Sequence, residues 1–202
     1  GMKEYVDDKD LNDMLQVMYQ SANIYQNDIK LLDLEFMSPL SDLAIGYYRF
    51  YIIDSTGIIN GIPVTKVSFL PENDQNVAFK GDLWITRDST FAVVKADYGI
   101  SKNINVNFVQ KLSLQQEFAK QPNGVWARIK DQVTVDFSIL KRGTGIYGTR
   151  TAMYRDFSFD KPMGEEYYAG AEKVIEDPNQ YKRDETFWAA ARHEKLTAKE
   201  AG

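Results

Sequence analysis

The sequence predicts a mainly β domain with flanking helices (α+β): a curved antiparallel sheet or half-barrel with an N-terminal helix against its concave face. Three observations predict it. Runs rich in aromatic and β-branched residues recur from Tyr47 onward. Reversal signals such as Asn60-Gly61 and Pro122-Asn123-Gly124 separate them at short distances. Helical periodicity is confined to segments near the two ends.

Taken in order, residues 7–22 (DDKDLNDMLQVMYQSA) set Leu11, Met14, Leu15, Met18 and Ala22 at helical spacing behind Asp10, a residue type that caps helix N-termini. Its polar face lacks the Lys and Arg of a membrane-surface helix, so its expected role is packing on the sheet. An extended passage follows, and Pro39 rules out continued helix there. YYRFYIID (47–54) and PVTKVSFL (63–70) are expected to pair across Asn60-Gly61, with Pro63 at a strand start or edge. In FKGDLWITRDSTFAVVKAD (79–97), Leu83 and Ile85 share one face, as do Ala92, Val94 and Ala96, with Arg87 to Thr90 as the polar reversal. Ile104, Val106 and Phe108 alternate with asparagines as a half-buried strand. Beyond Pro122-Asn123-Gly124, Val133, Val135, Phe137 and Ile139 alternate with Thr134, Asp136 and Ser138. Residues 183–195 predict a helix from Asp184, packing through Phe187, Trp188 and Ala191. The expected organisation is a tail with an expression remnant (1–8), the β domain with its helix (9–160), an irregular strap (161–182), and a C-terminal helix with a truncated connection (183–202). Thr197 and Glu200 stand at capping-box spacing in that connection.

Composition narrows the function. The net charge of -5 and the sequence pI near 5.0 argue against nucleic acid, because phosphate contacts need clustered Lys and Arg. The absence of cysteine removes disulfides, thiolate catalysis and Cys-zinc sites, and is compatible with bacterial cytoplasm and periplasm alike. No apolar run approaches the roughly 20 residues of a membrane-spanning helix. GTGIYG (143–148) has the glycine spacing of a dinucleotide fingerprint, yet the residues after it are strand formers, so no helix N-terminus is there to hold phosphate. Lys141, Arg142 and Arg150 around it form a basic loop expected to be solvated, or to touch lipid headgroups. His193 is the single histidine, so neither a Ser-His-Asp triad nor a two-histidine zinc site is expected. No spacing selects two carboxylates as an acid-base pair. The expectation is a domain that is not an enzyme, with no catalytic residue, metal or cofactor.

The series MSPLSDLAIGYYRFYIID, GIPVTKVSFLPENDQNVAFKGDLWITRDSTFAVVKAD, NINVNFVQKLSLQQEF and YKRDETFWAAARHEKLTAKE resembles an uncharacterised family of Bacteroidetes outer-membrane proteins. Those proteins carry a carboxypeptidase-regulatory-like β-sandwich, then a domain like this one, then a C-terminal β-barrel. The resemblance implies a periplasmic middle domain, tethered to the outer membrane and flanked by neighbouring domains of a longer envelope protein. The phrase around residues 79–95 is also similar to the strand pair of lipoprotein-carrier half-barrels, which enclose an acyl-binding cavity.

On these grounds the expected function is a non-enzymatic periplasmic domain with an apolar cavity for a lipid or lipoprotein acyl chain. Leu83, Ile85, Val133, Val135 and Phe137 are its candidate lining. Each buried CH₂ contributes about 0.8 kcal/mol. The same residues become ordinary core if Leu11, Leu15 and Met18 occupy the space. The alternative is a scaffold or docking module that meets an envelope partner through exposed aromatics such as Tyr47, Tyr167 or Trp188. A continuous cavity favours lipid; a solid core beside an exposed apolar patch favours docking.

Overall fold

The strand-forming runs pair with their sequence neighbours throughout, as short polar turns between apolar alternations dictate. The computed structural model describes residues 18–20, 22–31, 34–73, 76–100, 109–138, 145–159, 164, 179 and 182–192. The chain divides into two units, Gly1–Tyr154 and Arg155–Gly202.

In the first unit a small hairpin, β1 (Asp28–Leu31) and β2 (Leu34–Met37), precedes β3 (Tyr48–Ile59), β4 (Ile62–Pro71), β5 (Phe79–Thr86), β6 (Val93–Ile100), β7 (Val109–Lys120), β8 (Trp126–Ser138) and β9 (Gly145–Met153). The last seven form one curved antiparallel meander in chain order that does not close into a barrel, leaving β3 and β9 at its edges. Asn60 and Gly61 adopt φ of 49° and 79°, the two positive values a tight β3–β4 turn needs. At the β5–β6 turn the Asp88 carboxylate accepts bonds from the Thr86 and Thr90 hydroxyls and the Thr90 amide. Those bonds, the Thr90 hydroxyl foremost, hold its pKa down to about 2.

One face of the sheet is apolar and covered. Leu83 stands opposite Ala96, Leu114 opposite Val133, and Leu112 opposite Val135. These residues share one hydrophobic cluster with Ala22, Ile24, Ile29, Leu31 and Phe36. Phe36 stacks on Phe79 at 4.5 Å, and Phe79 meets Tyr98 edge-on at 5.1 Å, so the cover is joined to the sheet through aromatic contacts. A parallel bridge from Met37 to Ala78 brings β2 to the start of β5. The Tyr48 hydroxyl closes that junction, donating to Met37 O at 2.6 Å and accepting from Phe79 N at 3.2 Å.

Several expectations need correction or fall elsewhere. The passage before Pro39 contains the β1–β2 hairpin, whose four-residue strands are too short to show alternation. Of the helix expected over 7–22, Met18 and Tyr19 are helical, Gln20 and Ala22 are not, and the remaining residues lie outside the described ones. Ile104, Val106 and Phe108, nearly all of the strap, and Thr197 with Glu200 also lie outside them.

In the second unit, α1 (Glu185–Ala191) begins where the sequence places it. The Asp184 carboxylate accepts from Phe187 N at 2.9 Å as N-cap. Phe187 and Trp188, expected to pack, are each 38% exposed and meet edge-on at 5.4 Å.

Burial raises the Tyr48 pKa to about 12 against the opposing pull of the Phe79 amide. Between about pH 10 and pH 12 an unfolded Tyr48 has lost its proton while the folded one keeps it. Stability from this group is therefore complete below about pH 10 and declines as pH rises through about 12. Urea unfolding of wild type and Tyr48→Phe at about pH 9 and about pH 12 is expected to show wild type losing roughly 2–3 kcal/mol more than the variant over that interval.

Candidate functional site

The register that buries one face aligns polar residues on the other. Tyr51 stands opposite Ser68, Ser68 opposite Asp82, Asp82 opposite Asp97, Asp97 opposite Gln115, and Gln115 opposite Gln132. This row crosses six strands on the face away from the core. Lys66 reaches Asp82 at 3.0 Å, Lys95 reaches Asp97 at 3.0 Å, and the Ser68 hydroxyl donates to Asp82. Trp84 lies beneath both ammonium groups, at 5.1 and 4.8 Å from ring centre to nitrogen.

A groove of about 730 Å³ opens over this row. Its floor includes Ser68, Asp82, Asp97, Gln115, Gln132 and Thr134, and the β3 side contributes Tyr51, Ile53 and, from β4, Leu70. Glycine is required at the floor of the bend. A Cβ at Gly81 would lie 2.1 Å from Asp97 O, and one at Gly99 would lie 2.5 Å from Leu112 O, so any side chain there would force the strands apart.

A second surface feature runs along the β3 edge. Phe50 and Ile52 lie on the core side of the strand, opposite Phe69 and Val67, yet Ile52 is 73% exposed. Tyr51 and Ile53 are exposed as well. Both sides of this edge thus present apolar surface. The opposite edge, β9, exposes Thr149 and Thr151 together with Tyr147 and Met153.

Inside the covered face lies a buried polar network that the sequence reading missed. Gln116 donates from Nε2 to Ala22 O at 2.8 Å and to Asp131 Oδ1 at 2.9 Å, and accepts from the Tyr98 hydroxyl at 3.2 Å. Arg150 reaches Asp131 Oδ2 at 2.7 Å, and Arg128 donates to Ala22 O at 2.6 Å. Burial, then the Asp131 charge, raises the Tyr98 pKa, so its hydroxyl stays a donor. The signal was available: Asp131 has the same inward parity as Val133, Val135 and Phe137, where a solvated acid does not belong.

Of the candidate lining, Leu83, Val133, Val135 and Phe137 are buried in the core cluster, and Ile85 packs against it. The structure therefore brings all five together, in a space shared with the covering residues and away from the groove, whose lining includes none of them. Residues 145–153 of the GTGIYG region form β9, a strand rather than a helix. Arg150 there is tied to Asp131, while Lys141, Arg142 and His193 lie outside the described residues. Of the aromatics considered for docking, Tyr47 and Trp188 are exposed and Tyr167 lies outside the described residues.

The architecture is that of an open antiparallel β domain with one covered face and one grooved face. The chain matches a family of unknown function, DUF5686, over residues 2–157, and it belongs to that family. No curated protein and no solved structure matches it.

Removing the acid from the buried network leaves Arg150 without the carboxylate it pairs with and Gln116 one acceptor short. Asp131→Ala is expected to cost about 3–5 kcal/mol in urea unfolding, with Asp131→Asn closer to wild type because it keeps an acceptor for Gln116.

Proposed function

We propose that this chain is a non-enzymatic docking module of a periplasmic envelope protein. Its β3 edge takes up an extended strand from a neighbouring domain of the same protein. The observation that carries this reading is the exposed apolar surface on both sides of an edge strand, a feature soluble domains ordinarily blunt with charge, proline or cover. An added strand satisfies main-chain groups along the edge, and alternate side chains on its two faces meet Phe50 and Ile52 or Tyr51 and Ile53.

The length of the edge supports a tethered occupant. Irregularities between Ile52 and Asp54 and between Asp54 and Gly57 confine the regular ladder at this end to Tyr48–Ile52. So short a ladder binds weakly as a separate molecule, whereas linkage in one chain raises the effective concentration of the partner strand. The acyl-chain alternative needs free space beside Leu83, Ile85, Val133, Val135 and Phe137. Side chains of Ala22, Ile24, Ile29, Leu31 and Phe36 share that cluster, so the geometry supports docking better.

Hydrogen exchange compared between this chain alone and the longer protein containing the neighbouring domains tests the reading. Amides of residues 48–52 are expected to exchange at least about tenfold more slowly in the longer protein. Ile52→Lys is expected to abolish that protection while shifting the unfolding free energy by no more than about 0.5 kcal/mol. Equal exchange in the two proteins overturns the proposal. So does protection in the isolated chain accompanied by dimerisation, which assigns the edge to a second copy.

A further inference from the structure

We propose that the groove over the polar face binds a neutral polyhydroxylated chain, a glycan, lying across the strands. This inference goes beyond the docking edge, with which the groove shares Tyr51 and Ile53. The floor offers one hydrogen-bonding side chain per strand, from Ser68 through Asp82, Asp97 and Gln115 to Gln132, at the inter-strand spacing of about 4.8 Å. A polymer of sugar rings repeats on that same scale, so successive hydroxyls meet successive side chains.

The chemistry of the lining selects this class. Lys80 and Lys111 in the lining balance Asp82 and Asp97. Lys66 and Lys95, which tie those acids from outside the lining, stand opposite Asp54 and Glu117 in the register. No net field favours an anion such as phosphate or a cation. An acyl chain would cover the Gln115 and Gln132 amides without giving them partners, at a cost in desolvation, while Asp82 and Asp97 keep their lysines. Hydroxyl groups both donate and accept, which suits a floor of serine, carboxylate, amide and threonine. Tyr51, Ile53 and Leu70 provide an apolar side against which the C–H faces of a ring pack. The strands hold this floor rigid, so little ordering accompanies binding.

The test is an NMR titration of the ¹⁵N-labelled chain with four neutral hexasaccharides: maltohexaose, cellohexaose, laminarihexaose and chitohexaose. At least one is expected to give saturable shifts at the amides of Gln115, Gln132 and Thr134, with Kd near or below about 1 mM. The Gln115→Ala/Gln132→Ala variant is expected to weaken that binding at least about tenfold with its unfolding midpoint unchanged. Thr134→Val provides a second variant if the midpoint moves. Ile52→Lys, which disables the docking edge, is expected to leave the titration unaltered, so failure of one proposal is distinguishable from failure of the other. No saturable shift with any of the four sugars overturns the inference, as does binding insensitive to the groove variants. Shifts of the same amides by myristate or phosphatidylglycerol vesicles in the absence of a sugar response assign the groove to lipid and also overturn it.

Discussion

A single meander has one apolar face too many for water, and that face has to be covered by something the sheet does not itself supply. In this chain the cover is the short stretch preceding β3. Ala22, Ile24, Ile29, Leu31 and Phe36 join the cluster that Phe79, Leu83, Leu112, Leu114, Val133, Val135 and Phe137 form from the strands. Apolar packing alone has no direction, and a cover held only by packing can slide. Gln116 and Arg128 remove that freedom by donating to the same carbonyl, that of Ala22, from two adjacent strands. At the other end the Tyr48 hydroxyl joins Met37 of the cover to Phe79 of the sheet. The cover is thus fixed at both ends by directional bonds, and the core between them is set in register.

Covering one face commits the other. A side-chain period of two sends every residue that is not in the core to the opposite surface, and the meander keeps those residues in straight cross-strand rows. Pairing Lys66 with Asp82 and Lys95 with Asp97 organises charge there without net excess. Each pair is half-buried and open to solvent screening, and stabilises the fold little. Their effect is geometric: they hold two carboxylates in the row that continues through Gln115 and Gln132. The glycines at positions 81 and 99 allow the strands to approach as closely as they do.

Much of the meander was legible in the sequence because its determinants are local. Asn60-Gly61, Arg87 to Thr90, and Pro122 to Gly124 each mark a reversal between strands that the structure contains. The same holds for α1, where Asp184 announces the cap. What escaped was non-local. The β1–β2 hairpin has strands of four residues, below the length at which a period of two can be distinguished from chance. Parity puts Leu83, Ile85, Val133, Val135 and Phe137 on core-facing positions, but parity does not say whether the space beside a face is occupied. Gln116 and Asp131 were passed over because a polar residue in a strand is ordinarily assigned outward, and only the partners Ala22, Tyr98 and Arg150 explain why these two point in. The groove was invisible for a related reason. Its row takes a residue from each of six strands far apart in sequence, and pairing register alone aligns them.

The two surfaces of β3 are physically linked. Tyr51 and Ile53 border the groove, and the backbone that carries them is the free edge of the sheet. A strand added at that edge continues every cross-strand row by one position, so the row beginning at Tyr51 gains a further side chain beside its ring. It also restrains a segment that at present is bonded on one side and interrupted by irregular register near Asp54. Ordering Tyr51 and Ile53 before a ligand arrives removes part of the entropy that ligand binding would otherwise cost. If the edge docks a strand and the groove takes a ligand as proposed, the two favour each other, and by thermodynamic reciprocity a filled groove strengthens the docked strand by the same factor.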